Sequence, residues 1–109
     1  MTVGEWLRSR TPPPPAALSA RLDEVLRASL HEPAERVPAV CLAAGERLAA
    51  ELLSSNSTAR NSALDLLTAD ALVTYAFEAA GEMASGIEAH ASSAMRRISA
   101  IGAAEPVVG

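Results

Sequence analysis

The stretch that decides the fold is ARNSALDLLTADALVTYAFEAAGEMASGIEAHASSAMRRISAIG, residues 59–102. Nothing in it alternates with the period of two that a half-buried strand needs, whereas apolar residues recur at spacings of three and four, so it reads as helix. From about Ala59 to Ala80, Leu66, Val73, Phe77 and Ala80 fall along one stripe, and Leu64, Leu67, Ala71 and Tyr75 along another. A helix apolar on so many sides is expected to be covered on more than one of them. Gly81 reads as a stop, because glycine is favoured just past a helix C-terminus. Ser85, Gly86, Ile87 and Glu88 have the form of a capping box and predict a fresh start. Met83, Ile87, Ala91, Ala94, Ile98 and Ile101 then trace a packed seam, ended by Gly102.

Upstream the same logic gives two more long helices. Leu18, Leu22, Val25, Leu26 and Leu30 lay one apolar stripe after Ala16, with Asp23 and Arg27 outside it. Pro33 and Pro38 interrupt the chain, so residues 31–37 read as a connection. A helix follows from about Pro38 to Leu53, with Cys41, Ala44, Leu48 and Leu52 on one face. Ser54, Ser55, Asn56, Ser57 and Thr58 read as a turn rich in N-cap residues. At the N-terminus, Thr2, Val3, Gly4 and Glu5 form another capping box, so a short helix carries Trp6 and Leu7 and stops before Pro12. Pro12 to Pro15 read as a stiff extended spacer. The expected fold is therefore all-α: an antiparallel four-helix bundle over residues 16–102, an N-terminal helical arm and proline spacer over 1–15, and a flexible tail over 103–109.

Composition supports one such domain. The chain has 109 residues, half of them apolar and a fifth charged, with 24 alanines, 13 leucines and no lysine or glutamine. Alanines between larger apolar residues let helix axes approach closely, while leucine and isoleucine supply most of the burial energy. The missing lysine excludes a Schiff-base nucleophile and a lysine-terminated phosphate loop. A formal net charge of −4 argues against a nucleic-acid surface. Cys41 is the single cysteine, so no intramolecular disulfide can form. The first ten residues have no secretory pattern, and the longest uncharged run, Thr11 to Ala20, contains four prolines. A cytoplasmic protein without a membrane span is the expectation.

The search for chemistry is mostly negative. A di-metal carboxylate site in a bundle needs histidines three residues after glutamates, but Ala28 precedes His31 and Ile87 precedes His90 at that spacing. Histidine phosphotransfer domains place a lysine and a glycine soon after the phosphorylated histidine. Here His90 is followed by Ala91, Ser92, Ser93 and Ala94, so that resemblance fails. Asp65 is the unusual carboxylate, falling on the side of Ala69, Leu72 and Ala76. It is expected to be structural, stabilised near a helix start or by one of nine arginines. Asp70, Thr74 and Glu78 read as a solvated ridge, and Arg96 and Arg97 as complementing a helix C-terminus.

The functional expectation is a non-catalytic subunit, adaptor or scaffold. It would act through helix packing with a protein partner or with itself, with no cofactor, metal or nucleic acid and no membrane span. A short helix must dock on something, so Trp6 and Leu7 are expected either to fold back over the end of their own bundle or, with Pro12 and Pro13, to be the partner-binding candidates, since tryptophan is enriched at interface hot spots. The alternative is a small-molecule-binding or enzymatic bundle using an interhelical pocket around Asp65 and Tyr75.

Overall fold

The computed structural model describes residues 1–55 and 60–104, and the fold is predominantly helical. Helix α1 spans Val3–Arg8, α2 spans Ala16–Val25, α3 spans Val37–Ser54 and α4 spans Arg60–Ala104. Short 3-10 turns at Arg27–Ser29 and Ala34–Arg36 join α2 to α3. Most of the turn expected over 54–58 and the last five residues of the expected tail, 105–109, lie outside the described residues.

The four-helix bundle is corrected at Gly81. Instead of two helices separated by a turn, α4 is a single helix of 45 residues. At 1.5 Å per residue it is about 67 Å long, which accounts for most of the 80 Å longest dimension of the molecule. The reason is local. A glycine stop works by adopting the left-handed conformation, and no glycine among the described residues has positive φ. One helical glycine costs about 1 kcal/mol relative to alanine, and Ala79, Ala80, Glu82, Met83 and Ala84 around it are strong helix formers. The capping-box pattern at Ser85 to Glu88 goes unused, since the chain arrives there already helical. Gly102 is likewise inside the helix.

The body is built by α1, α2 and α3 against the first half of α4. The main pairing is α3 with α4: Gly45 lies against Ala69, Leu72 and Val73, and Cys41 faces Tyr75, so the two helices run antiparallel. A methyl group at Gly45 would sit 3.2 Å from Val73 Cγ2 and 3.3 Å from Leu72 Cβ, so the missing side chain sets how closely the axes approach. Leu22, Leu26, Val37, Cys41, Ala44, Leu48, Ala69, Leu72, Ala76 and Ala79 form the core with Val3 and Trp6. Thr68 is fully buried, its hydroxyl donating to the Leu64 carbonyl at 2.7 Å, as a helical threonine can without a partner outside its own helix.

Among the described residues, only one face of α4 is covered. Leu66, Leu67 and Phe77, expected to be packed on further sides, are 65, 59 and 71% exposed. The covered face is that of Thr68, Ala69, Leu72, Ala76 and Ala79, where mostly small side chains meet α3 and α2.

The N-terminal capping box forms as expected: the Glu5 amide donates to Thr2 Oγ1 at 3.2 Å, and the Thr2 amide donates to Glu5 Oε1 at 3.0 Å. The proline run does not hold α1 away from the body. The Val3 and Gly4 amides, two of the orphan donors of a helix start, donate to the carbonyls of Glu32 and Leu30, each at 2.8 Å. The Ala34 amide in turn donates to the Met1 carbonyl at 3.0 Å. Glycine at position 4 permits this approach, because a Cβ there would lie 3.2 Å from the Leu30 carbonyl oxygen.

Candidate interaction surface

Of the residues singled out in the N-terminal segment, Trp6 reaches α4 of its own chain. Trp6 is buried, its ring meeting Tyr75 edge-on with centroids 5.9 Å apart. Its indole N–H donates to Glu82 Oε2 at 2.9 Å. Arg10 lies over the same indole, 3.7 Å from the ring centroid, and donates to Glu82 Oε1 at 2.6 Å. One carboxylate thus receives both donors, and the cation closes the stack. The Arg10 bond first and the Trp6 bond second hold the Glu82 carboxyl below its ordinary range. Leu7 is half-buried against the core, whereas Pro12 and Pro13 are exposed and the Thr11–Pro12 peptide is cis. Leu7, Pro13, Leu22 and Tyr75 line a small depression between α1, the proline run and α2. Burial pushes the Tyr75 phenol up, helped by the Glu78 charge.

Asp65 lies elsewhere. Its Oδ1 accepts from Arg21 Nε at 2.8 Å, and Arg21 also donates to Glu24 at 3.0 Å. The Asp65 bond is the main reason that the Arg21 guanidinium holds its proton more tightly than usual. Asp65 and Arg21 border an open groove with Ala17, Ala20, Glu24 and Leu64. Tyr75 borders a different depression, so the structure does not bring Asp65 and Tyr75 together. Among the described residues, no group of three or more His, Cys, Asp or Glu side chains is placed to hold a metal ion. Cys41 is fully buried, and desolvation raises its thiol to about 11, the opposite of what a nucleophile requires.

The second half of α4 is uncovered. Every residue from Ala80 to Ser92 is exposed, and so are Met95 to Gly102. Within that segment Ile87, Ile98 and Ile101 are each between 63 and 69% exposed, and Met83 is 43% exposed. Met83, Gly86, Ile87, His90 and Ala91 line a shallow apolar groove. At 100° per residue, the direction of Met83, Ile87, Ala94, Ile98 and Ile101 lies within about 30° of that of Ala69, Leu72, Ala76 and Ala79. The face that builds the core therefore runs on, uncovered, past the point where α1, α2 and α3 end.

The seam spacing from Met83 to Ile101 was visible in the sequence, but its exposure was not. Its signal was a 3.6-residue period continuing without a phase break across Gly81. Glu82 was missed as the anchor of Trp6, because residues 76 apart in the chain carry no local pattern linking them. No helix among the described residues is long and apolar enough to cross a membrane. Comparison with protein-family models, curated proteins and solved structures finds no match, so function has to be read from the geometry of this surface.

Proposed function

We propose that the protein is a non-catalytic helical interaction subunit whose docking surface is the uncovered stripe of α4 beyond Glu82. The observation that carries this reading is the stripe of Met83, Ile87, Ile98 and Ile101, standing in solvent in register with the core face of the same helix. Contiguous exposed apolar patches of this kind mark interaction sites, whereas scattered single apolar residues do not. Covering these four side chains, between 43 and 69% exposed, would contribute about 4–7 kcal/mol per chain at 1.5–3 kcal/mol for a full burial. A helix segment of some twenty residues with no tertiary cover is only marginally stable in water, so a partner on this face would also fix the helix.

Trp6 supports this reading indirectly. By tying α1 to Glu82, at the start of the uncovered segment, it anchors the root of the extension to the body. The decisive variant is the double substitution Ile87→Glu and Ile98→Glu, at two exposed positions away from the core. The wild type, recovered from its host, should carry a stoichiometric associated chain, identified by mass spectrometry as a second copy or another protein. The double variant should lose that chain and still unfold cooperatively, at a lower temperature because the pairing no longer stabilises it. Wild type without any associated chain, or equal association by both proteins, would overturn the reading.

A further inference from the structure

Resting on that reading, we infer that the occupant of the stripe is a second copy of this chain, with its α4 extension running antiparallel. Charge is the first argument. Within the overlapping extension Glu88 comes first and the basic pair Arg96 and Arg97 follows, while Glu78 and Glu82 are already paired with Arg10 of their own chain. An antiparallel copy lays the basic end of each helix over the acidic end of the other, while a parallel copy sets like charge against like.

Steric reach is the second argument. Because the stripe continues the face already covered by α2 and α3, parallel pairing would press the two bodies into the same space between the helices. Antiparallel pairing puts one body at each end, with only the bare extensions overlapping. Residues 82–103 of each chain then overlap over roughly 33 Å. Half the girth of a helix about 11 Å across, multiplied by that length, covers roughly 550 Å² per chain, or about 1,100 Å² in total. That clears the roughly 1,000 Å² expected of a specific interface. The surface is also self-complementary, as a two-fold pair requires: Ile87 meets the partner's Ile98 on either side of a central layer where Ala91 meets the partner's Ala94, and the alanines allow close approach.

Light scattering after gel filtration of the purified chain alone should give twice its 11.3 kDa. The Ile87→Glu, Ile98→Glu variant should dissociate, its pairing weakened ~100-fold or more. Spin labels read the direction. Ser85 and Ser99 are both exposed, point away from the stripe and lie two heptads apart, about 21 Å along the helix. A mixture of Ser85→Cys and Ser99→Cys proteins, labelled separately, should show a short intermolecular distance absent from either protein alone; the buried Cys41 stays unlabelled. Short distances between identical labels would overturn the antiparallel arrangement. A dimer that survives the double substitution would overturn the stripe as its seam. A single-chain mass, with a different protein bound stoichiometrically through the stripe, would overturn self-pairing and leave the interaction reading standing. A single-chain mass with nothing bound would end both.

Discussion

Replacing Gly81 by alanine separates a continuous α4 from a helical hairpin by the sign of its effect. A Cβ built at Gly81 has nothing within 4 Å, and the backbone there has no positive φ. The substitution therefore meets no packing cost and recovers the helix propensity that glycine forgoes, a gain of about 0.8–1.0 kcal/mol. If Gly81 instead closed a helix in the left-handed conformation, alanine would cost roughly 1 kcal/mol or more. The position lies inside the cooperative unit, because Glu82, one residue on, holds Trp6 and Arg10 of the N-terminal segment. For a domain of this size, 1 kcal/mol moves the melting temperature by roughly 4–8 °C. Urea unfolding followed by circular dichroism at 222 nm gives the free energy, and hydrogen exchange of residues 82–104 locates it. Gly81→Ala should raise stability and slow exchange in the extension. Gly86→Ala, also with nothing within 4 Å, should slow exchange there in the same way. A Gly81→Ala protein less stable than wild type would refute the continuous helix.

Other positions give independent tests. Trp6→Ala removes a buried aromatic ring, with its contact to Tyr75 and its bond to Glu82, and should cost about 3–5 kcal/mol in urea unfolding; a loss under 1 kcal/mol would show that the clamp is not formed. Trp6→Phe keeps a ring but gives up the N–H donor, and should cost nearer 1 kcal/mol. Gly45→Val drives methyl groups into Val73 and Leu72 and should destabilise by about 1–3 kcal/mol, measured the same way, whereas an unchanged midpoint would contradict the close α3–α4 approach. Burial holds the Cys41 thiol at about 11 against an ordinary 9.0. Its folded value is raised, so the neutral thiol's stabilisation is complete below about pH 9 and is lost as pH climbs through 11, roughly 2–3 kcal/mol in all. Tyr75, also raised, acts in the same direction, so the alkaline slope of wild type should be compared with that of Cys41→Ala, which should be shallower. Thiol reagents at pH 8 should modify Cys41 only at the rate of unfolding.

Helix class, the Thr2–Glu5 capping box and the seam spacing from Met83 to Ile101 were legible in the sequence because each depends on neighbours within a turn or two. Capping needs residues three apart, and amphipathicity needs only a period. The same local rules misread Gly81 and the Ser85 to Glu88 pattern. Glycine permits a stop without compelling one, and whether the chain turns back depends on what waits to receive it. Nothing local announced that α1, α2 and α3 would be used up covering the first half of α4. The partners of Trp6 were equally hidden, since Glu82 and Tyr75 reach it only once α1 is stitched to the carbonyls of Leu30 and Glu32. Asp65 reads from the sequence as lying inside the apolar sector with Ala69, Leu72 and Ala76, and only the approach of α2 showed that it is partly exposed and paired with Arg21. The sequence by itself determined that this chain is helical and that Met83 to Ile101 recur at helical spacing, but not which of several apolar stripes on the first half of α4 is buried. Tertiary structure decided how much of the helix is covered, because burial depends on the length of the other helices and where they end.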